Sequence, residues 1–207
     1  KIFGVPVYEL LGGPYENRLR VYANGWYTTP GTPEQNAEEA KKVVSMGYTA
    51  MKFDPFGKVA HTTITGEEAQ LAEDRVAAVR EAVGPNVDIL VEVHARFSVY
   101  TAVHLGKRLE KYNPFWFEEP VAPENMDEMA RVAAHTSIPI ATGERLATIF
   151  QFSELLRKQA AQILQVDVGQ CGGIMVAKKV AGMAEASYAT IAPHMYCGPV
   201  AAAAALQ

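Results

Sequence analysis

Cysteine is scarce: Cys171 and Cys197 are the only two in 207 residues, and neither lies in a CxxC pair or a spacing that suggests zinc. That usage fits a reduced, cytoplasmic protein better than a secreted disulfide scaffold. Clustered positive charge is also missing. With a formal net charge of -4 and no Lys/Arg-rich run, the chain lacks the means to neutralise phosphates, so nucleic acid is not expected as its main partner. No apolar run is long enough to span a bilayer and no signal peptide is visible, so no membrane partner is expected either. The apolar tract at residues 199–206 is short and Ala-rich and reads as the start of a helix. A small molecule is the expected ligand.

What the chain does have is apolar material, 49% of its residues, enough to bury the core of one large α/β domain. Short apolar stretches alternate with amphipathic ones. Expected strands fall at residues 19–24, 49–53, 88–93, in the FWFEEP segment, and at 138–142, 161–166 and 190–192. Expected helices fall at 33–46, 67–83, 99–111, 125–134, 149–158 and 174–186, then in the Ala-rich end. Thr32 reads as an N-cap, Pro33 as the first helical residue and Gly47 as a stop. Seven βα units without a Gly-rich phosphate fingerprint after the first strand favour a TIM-like barrel over an open doubly wound sheet. Both ends read as cut: residues 1–17 as a junction, and 18–207 as a barrel lacking its last strand.

In such a barrel, ligands bind at the C-terminal ends of the strands. Those ends carry Asn24 and Trp26, Lys52 and Asp54, Glu92, His94 and Arg96, Glu118 and Glu119, Glu144 and Arg145, Asp167, and His194. Glu92, Glu118 and Glu144 recur every 26 residues, about one βα unit, so three carboxylates should converge at similar height. Converging acids repel unless a cation holds them, and hard oxygen ligands on a rigid scaffold suit Mg²⁺. Glu119, adjacent to Glu118, should point to the opposite face and make a structural ion pair. The same alternation sets Glu92, His94 and Arg96 on one side if the strand stays extended. Asp167 and His194 are one unit apart, a carboxylate placed to orient an imidazole base. His61, His104 and His135 fall in loops or helices and receive no chemical role.

The ordered segments VEVHARF, FWFEEP, ATGERL, QVDVGQCGG and APHMYCGP resemble the enolase superfamily in its mandelate racemase-like branch, and most of all its acid-sugar dehydratases. The resemblance spans almost the whole chain. It implies a modified (β/α)₇β barrel preceded by an α+β capping domain, here absent but for its junction at GVPVYELLGG. It also implies Mg²⁺ ligation by Glu92, Glu118 and Glu144, a general base at His194 paired with Asp167, and a general acid at His94. The implied reaction starts by removing the proton α to a carboxylate, giving an enediolate.

Two positions depart from the family pattern. Glu92 stands where Asp is common, and Lys52-x-Asp54 replaces the Lys-x-Lys of racemases and cycloisomerases, leaving Lys52 as a lone candidate base or a binder of the substrate carboxylate. The resulting expectation is Mg²⁺-dependent dehydration of an aldonate or aldarate to a 2-keto-3-deoxy acid. A cycloisomerase or epimerase using Lys52, or a non-catalytic barrel, are the alternatives. Arg96, Asn24, Trp26 and Tyr196 are candidate substrate contacts, although Trp26 and Tyr196 fit packing roles equally well. The resemblance also implies a homo-oligomer.

Overall fold

The computed structural model describes residues 2–14, 16–27, 31–57, 59 and 62–207. Six strands form one sheet in sequence order: β1 (Ala50–Phe53), β2 (Asp88–Glu92), β3 (Trp116–Glu118), β4 (Ile140–Thr142), β5 (Ile163–Leu164) and β6 (Thr190–Ile191). Every neighbouring pair is parallel, which requires a crossover after each strand. The helices supply these. A short α1 (Val7–Leu10) is followed by α2 (Pro33–Ser45), α3 (Gly66–Val83), α4 (Val99–Leu109), α5 (Met126–Ala133), α6 (Ile149–Arg157), α7 (Ile174–Ala186) and α8 (Pro199–Ala205).

Helix starts follow their capping chemistry. Thr32, Thr65 and Thr148 each close a capping box with the Gln or Glu three residues on, satisfying amide groups that a helix N-terminus leaves unpaired. Ser98 and Asn125 cap α4 and α5 with their side chains. Gly47 and Gly84, both at positive φ, follow the ends of α2 and α3, where a side chain would be strained.

Strand alternation divides the buried residues in two. Met51, Phe53, Ile89, Val91, Phe117 and Ile140 face the helices and join the large core with Val76, Leu105, Met129 and Phe152. Ala50, Leu90, Trp116, Ala141 and Ile163 form a separate small cluster on the other face, flanked by Tyr22 and Ala192. Two residues further along their strands, Lys52, Glu92 and Glu118 project to that same inner side.

The observed strands are shorter than the sequence pattern indicates, and the first expected one is reduced to a bridge. Of residues 19–24, only Ala23 pairs, with Met51, through bonds from its amide to Ala50 O and from Lys52 N to its carbonyl. Leu19 and Val21 are exposed, and Arg20 is held by Thr49 and Asp88. Apolar alternation gave the segment its phase, with Tyr22 inward, but an edge segment paired on one side only has half a ladder to hold it straight. β2 also ends early. His94 and Ala95 have φ of 61° and 59°, so the backbone leaves the extended region directly after Val93. The expectation of a straight strand carrying Glu92, His94 and Arg96 is corrected accordingly. His61 lies outside the described residues. Among the described residues no helix is long and apolar enough to cross a membrane.

Candidate active site

The ends of β2 and β3 and the turn after β4 bring Glu92, Glu118 and Glu144 together, all buried, with one carboxylate oxygen from each within 4.8 Å of the others. Register accounts for part of this: Glu92 and Glu118 are direct partners across β2 and β3. Lys52, from β1, sends its ammonium between them, 2.9 Å from Glu92 Oε2 and in contact with Glu118 Oε1. The second oxygen of Glu118 accepts from the indole Nε1 of Trp116 at 2.7 Å. Trp116 and Glu118 are two residues apart on one strand, so the indole of the inner cluster lies directly beneath the carboxylate.

This crowding splits the acids. Burial, followed by the charge of Glu92, holds the Glu118 carboxyl well above the usual range, against the pull of Lys52. Burial also pushes Glu92 upward, but its hydrogen bond with Glu118 and the Lys52 charge outweigh that and bring it below the ordinary value. Lys52 loses from burial, and the Glu118 and Glu92 carboxylates more than restore its proton affinity. Lys52 lies between Glu92 and Glu118, and Arg145 Nε is 3.8 Å from Glu144 Oε1, so the three carboxylates, when ionised, still outnumber these cations, and a divalent cation would relieve their repulsion. Octahedral Mg²⁺ bonds of 2.0–2.1 Å place ligand oxygens roughly 3 Å apart when adjacent and roughly 4 Å when opposite, so the spread of the three oxygens fits with small side-chain movements. The donor set is all oxygen, which suits that ion.

Two histidines flank the carboxylates. The His94 amide donates to Glu92 Oε1 at 2.7 Å, and its ring, 63% exposed, has among the described residues a 3.8 Å approach to the same oxygen. At the other end, His194 lies across a parallel bridge from Asp167. Its Nδ1 is 2.8 Å from Asp167 Oδ2; in the tautomer with the proton on Nδ1, the ring donates to that carboxylate and Nε2 carries the lone pair. Asp167 is fixed in turn by the Gly169 amide at 2.7 Å. His194 Nε2 is 3.5 Å from Glu144 Oε2.

The four expected substrate contacts separate. Arg96 is committed to protein acceptors: Val93 O at 2.7 Å, Gly57 O at 2.6 Å and Asp54 Oδ2 at 2.6 Å. Trp26 donates to Lys52 O at 2.8 Å and packs on Tyr27 and Phe53. Asn24 accepts from Gly25 N at 2.8 Å, which leaves its amide nitrogen free of that turn. Tyr196 is 85% exposed and stacked beside His194, with ring centroids 6.4 Å apart.

Glu119, at φ 43°, is outside the carboxylate triad and makes the expected ion pair at long range, to Arg145, alongside two hydrogen bonds. Oε1 accepts from the Thr142 hydroxyl and from Gly143 N at 3.0 Å, whereas Arg145 stays 3.9 Å from Oε2. Burial pushes this carboxyl up to about 7. Sequence reasoning missed Trp116 as a partner of Glu118. The i, i+2 spacing on a strand was the available signal, because it sets both side chains on one face.

Residues 35–207 match the family described as enolase C-terminal domain-like. The chain is 45% identical over 197 residues to a D-gluconate dehydratase of Thermoproteus tenax, covering 95% of this chain and 39% of that protein. It is 38% identical over 206 residues to a D-gluconate/D-galactonate dehydratase of Picrophilus torridus, covering 100% of this chain and 52% of that one. A mandelate racemase/muconate lactonizing enzyme from Jannaschia sp. CCS1 superposes with a TM-score of 0.90 at 42% identity, over 97% of this chain and 54% of its own. The chain thus spans about half the length of these relatives or less. Its parallel α/β arrangement is the barrel-type fold of that domain, and the chain belongs to the enolase C-terminal domain-like family.

Proposed function

We propose that the protein carrying this chain is a Mg²⁺-dependent dehydratase of a sugar acid, an aldonate or aldarate, yielding a 2-keto-3-deoxy acid. One observation carries the reading: a buried carboxylate triad with an Asp-paired histidine at one end and a solvent-facing histidine at the other. The dehydratase names of the relatives support the substrate class.

Glu92, Glu118 and Glu144 would hold the cation. When bound, Mg²⁺ supplies positive charge against the substrate carboxylate as that group gains electron density. His194 Nε2 takes the proton from C2, and Asp167, already bonded to Nδ1, stabilises the imidazolium that results. The electron pair left at C2 delocalises into the substrate carboxylate, then forms the C2–C3 double bond as the C3–O bond breaks. His94 gives the departing hydroxyl a proton, so water leaves, and the enol tautomerises to the ketone. An epimerase would need a second base across C2 from His194. Lys52, the candidate, has its ammonium on two carboxylates.

The test is to incubate the complete protein and Mg²⁺ with a panel of aldonates and aldarates and assay 2-keto acids. Formation of a keto acid, lowered 10²–10⁴-fold by His94→Asn and abolished by His194→Asn, is the expected result. Inverted C2 stereochemistry without keto acid, or full activity in His94→Asn, would refute the assignment.

A further inference from the structure

We propose that Asp54 and Arg96 form a positioning clamp that holds the His94–Ala95 turn in its left-handed conformation and so aims the His94 imidazole at the leaving group; this rests on the dehydratase reading above. Two successive non-glycine residues at positive φ are a strained arrangement that persists only where the surroundings over-determine it. The imidazole does not do this for itself, being exposed with one long approach to Glu92. The restraint is on the backbone.

Glu92 Oε1 accepts from His94 N, and the Glu119 carbonyl accepts from Ala95 N at 2.7 Å. Arg96 closes the turn from its far side. Its Nε donates to Val93 O, spanning His94 and Ala95, while Nη1 and Nη2 reach across to Gly57 O and Asp54 Oδ2 in the loop after β1. Asp54 is itself fixed, accepting from Phe56 N at 2.9 Å. The guanidinium lies 6.0 Å from the ring centroids of both Phe56 and Phe97, which pack edge to face at 5.1 Å. Each of the three guanidinium nitrogens has a protein acceptor in a fixed fork, a geometry that an ammonium cannot reproduce. Arg96 therefore acts through His94 and is a positioning residue.

The reaction distinguishes that role from a general structural one, because only loss of hydroxide needs a proton from His94. In the complete protein with Mg²⁺, Arg96→Met and Asp54→Asn are expected to lower kcat for the natural sugar acid at least 10-fold with little change in KM. Both should release fluoride from the 3-deoxy-3-fluoro analogue at rates close to wild type, since fluoride departs without the acid. Arg96→Lys should behave like Arg96→Met. If these variants fold poorly, Ala95→Gly gives an independent reading: it relaxes the turn without touching the clamp, and it should slow water loss and spare fluoride loss while melting no lower than wild type.

Equal loss of both reactions in folded variants would overturn the clamp, as would a rise in KM alone, which marks a direct substrate contact. If the wild-type protein dehydrates no sugar acid, the dehydratase reading fails first and the clamp falls with it. Wild-type activity with unaffected variants would sink the clamp alone.

Discussion

Glu119 shows what one residue of chain direction does to an acid. Glu118 is turned to the carboxylate cluster, while Glu119 is buried against Thr142 and Gly143, and its Oε2, 3.9 Å from Arg145, accepts no hydrogen bond among the described residues. Its carboxyl is pushed up to about 7, mainly by burial, whereas the unfolded chain titrates it near 4.5. Between those values the folded state holds a proton that the unfolded state has released. Stability contributed by this group is therefore full below the unfolded value and is lost as pH rises toward 7, at up to about 1.4 kcal/mol per pH unit. In chelator, Glu119→Gln should flatten the fall in melting temperature between pH 5 and 7; an unchanged slope in the variant would show that Glu119 is ionised throughout. Trp116 offers a second check at this scale. Trp116→Phe keeps an aromatic ring in the inner cluster but removes the donor to Glu118 Oε2, and loss of such an outer partner typically costs 10–100-fold in metal affinity. Calorimetry with Mg²⁺ should report a weakening of that order, and unchanged affinity would make Trp116 a packing residue only.

Elements place these side chains, and the turn after β4 does so under the tightest constraint. Gly143 has φ of 130°, and an added Cβ would lie 3.0 Å from Phe152 Cε1 and 3.2 Å from the backbone nitrogen of Gln165. Gly143→Ala should cost about 2–4 kcal/mol through strained backbone and overpacking together, read by urea denaturation, and should weaken Mg²⁺ binding by moving Glu144. Wild-type stability would show that the turn can relax. Elements also mark where the sequence was readable. The order of strands and helices and the convergence of Glu92, Glu118 and Glu144 follow from periodicity and from spacing by whole βα units. The His94–Ala95 turn does not, because no glycine or asparagine announces the positive φ; it is imposed by Glu92 at the end of β2, Glu119 just after β3, and Arg96, the residue after the turn. Arg96 was misleading for the same reason. A charged group at a strand end signals a site, but nothing local shows that Asp54, 42 residues earlier, has already engaged it. Residues 19–24 carry strand periodicity, yet a strand also needs neighbours, and β1 alone supplies a single bridge.

At the scale of the whole molecule, the carboxylate cluster ties metal binding to stability. A cation bound only by the folded state stabilises it by about 2.7 kcal/mol at a concentration 100 times its dissociation constant. Without the cation, Lys52 between Glu92 and Glu118 and the more distant Arg145 beside Glu144 oppose the three buried carboxylates, and Glu118 bears the strain, held well above its usual range by burial and by Glu92. Glu118→Gln keeps the acceptor for Lys52 or Trp116 but deletes that charge. Its melting temperature in chelator near pH 8 should match or exceed wild type, and its gain on adding Mg²⁺ should nearly vanish. The control is Glu73, buried on α3 among Arg108, Lys111 and Tyr112 and outside the cluster of Glu92, Glu118 and Glu144. Glu73→Gln should lower the melting temperature equally with and without Mg²⁺, since breaking that network leaves the cation's ligands in place. A metal-binding role for Glu118 requires the two variants to differ in this way. If Glu118→Gln instead melted lower in chelator and kept its full response to Mg²⁺, the acid would be a structural partner of Lys52, and the cation would have to be held elsewhere.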